Sequence, residues 1–249
     1  YEANAKCPRW DKFIQDVTDE DGIREEALQM IAGYVLFPDC KHQKIFAFMG
    51  AGGYGKSVYL DVLQEVFGSE NCTTIDPMGL CEDFKAIHLK NSLLNYAQEI
   101  DADFSKAEKT LKTIADGKDI QACYKGQDHI IFRPRCKLIF SCNAVPQART
   151  IAGMDRRMYF IGFPCKFVED PDPKNPMEKK ADIDIIPKLL EELSGIFNWV
   201  YEGYRLLNKY GCFMETYEQE EYMRQFREAS NPVEVFVRDY DDTFEGEVP

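Results

Sequence analysis

The chain lacks any apolar run approaching the ~20 residues needed to cross a bilayer, and its start carries no signal-peptide pattern. An integral membrane role is therefore not expected, and the cytoplasm, a bacterial host's if the gene is phage- or plasmid-borne, is the expected setting. Only three histidines are present (His42, His88, His129), and none stands at ligand spacing from a cysteine. The nine cysteines are odd in number, scattered, and never arranged as C-x-x-C, which argues for buried reduced thiols over a zinc site or a disulfide framework. Positive charge is also in deficit: 30 Lys and Arg against 43 Asp and Glu give a formal net charge of −13. That balance excludes a protein that coats nucleic acid over its whole outer surface. The first residue is Tyr1, not Met, so a piece of a longer polypeptide is expected.

What the sequence does contain is centred on Gly50-Ala51-Gly52-Gly53-Tyr54-Gly55-Lys56-Ser57, with Val58 following, which fits G-x-x-x-x-G-K-[ST]. The apolar run Ile45–Met49 before it reads as a buried strand, and Leu60, Leu63 and Phe67 after it share one helical face. Strand, glycine loop and helix is the context in which this motif cradles phosphates with backbone N–H groups. Lys56 is then expected on the β- and γ-phosphates of a nucleoside triphosphate such as ATP, and the Ser57 hydroxyl on Mg²⁺.

A second buried strand, residues 92–97, runs into Gln98-Glu99-Ile100-Asp101. A carboxylate at that strand end suits Mg²⁺ positioning and activation of water, so Glu99 is the candidate, with Asp101 as a possible assistant. A third strand, 137–141, ends at Cys142-Asn143, where an amide would hold the lytic water or merely form a turn before Pro146. Arg156 and Arg157 precede a fourth strand, 158–161; they read equally well as charge stabilisers for a neighbouring site or as surface cations. Residues 119–132 form an expected hairpin with Tyr124, Lys125, Gln127 and His129 around its tip, where a lysine grips phosphate and an aromatic stacks on bases. A solvated tip explains the same residues.

Elsewhere, residues 10–36 read as two helices, the second capped by Asp19 or Asp21. Residues 78–91 read as a loop or a short helix. After a Pro-rich loop at 171–176, one long helix is expected with Ile186, Leu189, Leu193, Phe197, Val200 and Tyr204 inward, and 215–242 reads as helical and acidic. Lys106, Lys109, Lys112, Lys118, Lys125, Arg133, Arg135, Lys137 and Arg149 make the middle of the chain locally basic, while acids including Asp239, Asp241, Asp242, Glu245 and Glu247 crowd the tail.

Taken in order, these pieces resemble the helicase part of the phage and plasmid primase–helicases, superfamily III helicases of the AAA+ class. The resemblance covers nearly all of residues 10–240. It rests on Trp10 to Asp16 with Gly33-Tyr34, on Gly50 to Ser57 as Walker A, and on Asn95 to Glu99 as Walker B. It continues through Leu111 to Ile120 with Tyr124-Lys125, Lys137 to Asn143 with Pro146, Asp155 to Phe163, and Glu192 to Trp199. It implies an α/β AAA+ P-loop core with a parallel-rich sheet, a pore β-hairpin and helical segments at both ends. The segments are 1–40 as lead-in, 41–165 as ATPase core and 166–249 as C-terminal helical region. It further implies an ATP- and Mg²⁺-dependent ring, a hexamer, that unwinds duplex by moving on single-stranded DNA, with a primase domain upstream. Asn143 becomes the sensor, Arg157 the finger with Arg156 beside it, and Lys125 the DNA-gripping lysine. Gln98 departs from the family by replacing an acid. Two rival readings remain: a P-loop kinase of nucleotides or metabolites, and a non-processive, ATP-regulated DNA-binding scaffold.

Overall fold

A computed structural model describes residues 1–100, 103–149 and 151–231. Asp101 and the acids from Asp239 onward fall outside the described residues.

The lead-in forms two helices, α1 (Pro8–Thr18) and α2 (Gly22–Val35). Pro8 sits at the start of α1, where its missing N–H costs nothing. The Glu192 carboxylate, from far along the chain, accepts from the Arg9 and Trp10 backbone N–H groups at 3.0 and 3.2 Å and completes that terminus. For α2 the cap is Asp21, whose side chain accepts from the Ile23 and Arg24 backbone N–H groups. The core follows as β1 (Ile45–Met49), α3 (Lys56–Phe67), β2 (Cys72–Thr73), α4 (Asp83–Ala86), β3 (Leu94–Ala97) and α5 (Glu108–Ala115). The rest is β4 (Ile120–Ala122), β5 (Ile130–Phe132), β6 (Lys137–Cys142), β7 (Met158–Gly162), β8 (Lys166–Val168) and β9 (Glu178–Lys180), then α6 (Ile185–Leu190), α7 (Leu193–Tyr210) and α8 (Tyr217–Ser230).

Five strands make one parallel sheet in the order β2-β3-β6-β1-β7. Its strands are apolar on both sides because helices cover both faces. Along β1, Phe46 and Phe48 join the layer containing α1, α2, α3 and α7, while Ile45, Ala47 and Met49 join that containing α5, Phe104 and Phe226 of α8. All strands point the same way, so the loops after β1, β3 and β6 emerge along one edge, where parallel sheets bind ligands.

The first layer is locked by backbone approach. A Cβ on Gly33 would lie 2.1 Å from Tyr204 N, and one on Gly203 would lie 1.9 Å from Gln29 O, so α2 and α7 cross in near contact. This revises the expected C-terminal helix. It is two helices, and the buried residues of α7 are Gly195, Ile196, Val200, Gly203 and Leu207, while Leu193, Phe197 and Tyr204 are only half-buried. Close approach of main chains turned the glycine face inward, which an apolar pattern does not mark. Lys137 also leaves the basic strip: it is 2% exposed, donates to the Phe37 and Arg135 carbonyls at 2.9 and 2.7 Å, and lies over the Tyr34 ring. All nine cysteines are free, six of them buried. Among the described residues no helix is long and apolar enough to cross a membrane.

Candidate functional site

The loop from Gly50 to Gly55 joins β1 to α3 over the C-terminal edge of the sheet. Its shape depends on glycine: Gly53 and Gly55 have φ of 82° and 85°, and a Cβ on Gly55 would meet Val17 Cγ1 at 2.6 Å. The loop is held from outside by Phe167 N–H, which donates to the Gly53 carbonyl at 2.8 Å. At the first turn of α3, Lys56 is 6% exposed, and its ammonium donates to the carbonyls of Gly50 and, at 2.8 Å, Ala51. Burial pushes its pKa below the ordinary lysine range, with Cys142 and Glu99 offsetting part of that effect. A cation folded back onto its own loop's carbonyls is poised to exchange them for an anion. Ser57, the next residue, is exposed and faces the same space.

That space is a cavity of about 750 Å³. Ala51 through Val58 form its floor, and Glu99, Ser141 and Asn143 reach it from the ends of β3 and β6. The order β3-β6-β1 explains the meeting: Glu99 and Asn143 leave neighbouring strands beside the loop, although 43 and 87 residues separate them from Lys56. Gly50 is at the loop's base, its N–H donating to the Cys142 carbonyl at 3.3 Å. Glu99 has φ of 51°, a left-handed conformation that a non-glycine residue rarely adopts. It turns the chain at the strand end and leaves the carboxylate exposed on the cavity wall. Gln98 goes elsewhere: its amide donates to Asp61 Oδ1 of α3 at 3.0 Å and braces the helix behind the loop. The missing acid at position 98 therefore removes nothing from the cavity.

The cavity extends past the loop to walls that the sequence pattern did not mark. Arg9, Lys12, Phe13 and Asp16 of α1 line it together with Phe167, Lys180, Asp182, Ile185 and Lys188. Phe13 and Phe167 rings stack with centroids 6.4 Å apart. The missed signal was Trp10 to Val17 itself: its apolar side was legible, but not that its polar side bounds a site.

The two arginines part company. Arg157 is 5% exposed; its guanidinium donates to both Asp116 oxygens at 2.8 Å and to the Gly153 carbonyl. Burial would raise the Asp116 pKa, but hydrogen bonds from Lys118 and Arg157 hold it below the usual carboxylate range. Arg156 is exposed and donates to Gln43 Oε1 at 2.6 Å. Neither lines the 750 Å³ cavity. Arg157 instead borders a second cleft of about 660 Å³ with Lys106, Lys109, Lys112, Lys118 and Arg149, opposed by Glu108 and Asp116.

The hairpin is β4 paired antiparallel with β5. Tyr124, Lys125 and Gln127 are exposed at its turn, whereas His129 faces back toward α4, its Nε2 2.9 Å from Asp83 Oδ2. The tip shares no lining residue with the loop cavity.

Residues 48–157, which hold the loop, Glu99, the hairpin, Asn143 and both arginines, match the model of a family described as a family of unknown function (DUF5906). No curated protein matches. Among solved structures, two A-form apo structures of the NrS-1 C-terminal region are similar at 15% identity and TM-score 0.65. Each alignment covers 90% of this chain and 53% of that one. Another apo structure of the same region is 16% identical with TM-score 0.63, covering 86% and 54%. The chain thus spans about half the length of the structures it matches, and at this identity the likeness concerns the fold.

Proposed function

We propose that the chain is the motor part of a replicative DNA helicase, hydrolysing ATP with Mg²⁺ to move on single-stranded DNA. One observation carries the nucleotide reading: a glycine loop with a buried lysine, a carboxylate and an amide from three neighbouring strand ends border one cavity.

The residues fit a triphosphate. Glycines at positive φ leave the loop's N–H groups free to turn inward, and the Lys56 ammonium already sits on acceptor oxygens that phosphate oxygens would replace. Ser57 would supply the hydroxyl ligand to Mg²⁺, and Glu99 would orient water and accept its proton. Asn143 would hold that water by its amide. The ATP–Mg²⁺ complex brings the phosphoanhydride whose cleavage drives the motion. An arginine from an adjacent copy would neutralise the charge developing on the transferred phosphoryl group. In this ring reading the hairpin tip, with Lys125 and Tyr124, touches DNA away from the nucleotide, and hydrolysis shifts it. DNA binding, a hexameric ring and an upstream primase domain belong to the same proposal, supported by the resemblance and by the likeness in fold.

The direct test is nucleotide binding and ATPase activity of Lys56→Ala and Glu99→Gln, with and without single-stranded DNA. Loss of one charge-assisted contact, about 1.5–3 kcal/mol, predicts nucleotide affinity about 10- to 100-fold weaker for Lys56→Ala. Glu99→Gln should bind normally and turn over poorly. Unchanged binding in Lys56→Ala would remove the loop from the mechanism. Strand displacement on forked DNA separates a motor from a scaffold, and sedimentation with ATP separates a ring from a monomeric kinase.

A further inference from the structure

Along the sequence, Cys123 and His129 stand six positions apart and form no recognised metal motif, and Asp83 lies 40 residues upstream of Cys123. The fold gathers them. Asp83 opens α4, Cys123 directly follows β4, and His129 directly precedes β5, so the hairpin delivers two of the three to the side of α4. The thiol sulfur, an imidazole nitrogen and a carboxylate oxygen all lie within 4.8 Å of one another. Cys123 is 4% exposed, while Asp83 and His129 are open to solvent. The thiols of Cys7, Cys40, Cys81, Cys142 and Cys165 each reach an oxygen acceptor. Those of Cys123, Cys72, Cys136 and Cys212 reach none among the described residues, and of these four only Cys123 has an imidazole nitrogen and a carboxylate oxygen within 4.8 Å.

We propose that Asp83, Cys123 and His129 bind a divalent transition-metal ion, Zn²⁺ by the chemistry of the donors, leaving a fourth position for water. Tetrahedral zinc, with ligand bonds of about 2.0 Å to oxygen and nitrogen and about 2.3 Å to sulfur, sets its ligand atoms roughly 3.3–3.7 Å apart. The His129–Asp83 pair, at 2.9 Å, needs to open by only a few tenths of an ångström, and the sulfur needs to approach by no more than about 1.5 Å. A mixed sulfur, nitrogen and oxygen set selects zinc over magnesium or calcium, which prefer oxygen alone. The ion would enter from the exposed side, displace the Cys123 thiol proton to solvent, and replace the exposed His129–Asp83 contact by a cross-link. That link closes the loop 124–128 at its base and ties the hairpin to α4, fixing the tip that presents Tyr124, Lys125 and Gln127.

The test is independent of the motor reading. The 249-residue chain, freed of metal by chelation, is titrated with Co²⁺, then with Zn²⁺. One equivalent of Co²⁺ should give a thiolate-to-cobalt charge-transfer band in the near ultraviolet, bleached by Zn²⁺. Cys123→Ala should abolish the band, His129→Ala and Asp83→Asn should weaken affinity at least tenfold, and Cys212→Ala, which removes an exposed thiol elsewhere, should change nothing. Zn²⁺ should also raise the Tm of the parent protein and not that of the three ligand variants. The two exposed positions, 83 and 129, carry the test if loss of the buried thiol impairs folding. Absence of the band in the parent protein, or its survival at full stoichiometry in His129→Ala and Asp83→Asn, overturns the site.

Discussion

Arg156 and Arg157 are adjacent in sequence and opposite in circumstance, so replacing each by alanine tests whether the exposed Arg156, and not the buried Arg157, serves the proposed neighbouring site. Arg157 and Asp116 have side chains only 7% and 4% exposed, joined by two bonds of 2.8 Å. Deleting one member of a buried charge pair costs about 3–5 kcal/mol. Lys118, 3.0 Å from Asp116, remains to compensate the carboxylate, which places Arg157→Ala at the lower end. For a chain of this size, about 3 kcal/mol lowers Tm by roughly 6–12 °C. Arg156 loses one exposed bond to Gln43, so Arg156→Ala should stay within about 0.5 kcal/mol of the parent and leave Tm nearly unchanged. Its effect should fall on turnover instead, because a guanidinium completing a neighbour's phosphoryl-transfer site contributes about 10³–10⁵ in rate. Differential scanning calorimetry and steady-state ATPase assays read the two quantities. Mixing Arg156→Ala with Lys56→Ala tests action between copies: each alone should be inactive, whereas a mixed assembly should pair an intact loop with an intact arginine and regain activity. An Arg157→Ala protein with parental Tm and no turnover, beside a fully active Arg156→Ala, would refute the assignment and return Arg157 to the neighbour's site.

Three other outcomes follow from the same packing. Gly203→Ala drives a Cβ to within 1.9 Å of the Gln29 carbonyl, so it should destabilise by at least the ~1–3 kcal/mol typical of overpacking; equilibrium urea unfolding measures it. The Asp116 pKa is lowered in the folded state, so its ion pairs stabilise fully above the unfolded-state value and lose that contribution as pH falls through the folded one. Asp116→Asn should therefore be less stable than the parent near neutrality, with the difference shrinking in strong acid, as Tm against pH would record. Lys125→Ala, exposed at the hairpin turn, should keep basal ATPase and Tm while losing stimulation by single-stranded DNA; unchanged strand displacement in that variant ends the hairpin's assignment to DNA.

Much of the fold was legible because local signals agreed. The run 45–49, the glycine loop and the Leu60, Leu63, Phe67 face gave β1, the turn and α3 within a residue, and the apolar runs at 92–97, 137–141 and 158–161 gave β3, β6 and β7. The short parallel pair β8–β9 went unmarked, since three-residue strands such as Lys166–Val168 and Glu178–Lys180 carry no period to read. The segment 78–91, open between loop and short helix, is α4 between two short 3₁₀ turns.

By itself the sequence determined the chemistry available at each strand end: a loop of glycines closing on Lys56 and Ser57, a carboxylate at 99, an amide at 143. These follow from neighbours in the chain, where spacing and backbone freedom act over a few residues. Only the tertiary structure decided which groups share a space. Strand order set Glu99 and Asn143 beside the loop, and helix packing brought α1 and α6 around the cavity's far side. Burial against Asp116 withdrew Arg157 and left Arg156 outside, and Lys137 went into the core. Hairpin closure set Cys123 and His129 against Asp83. Each outcome depends on contacts between segments tens to hundreds of residues apart, where the cost of desolvating a charge or the fit of one main chain against another settles which side chain faces water.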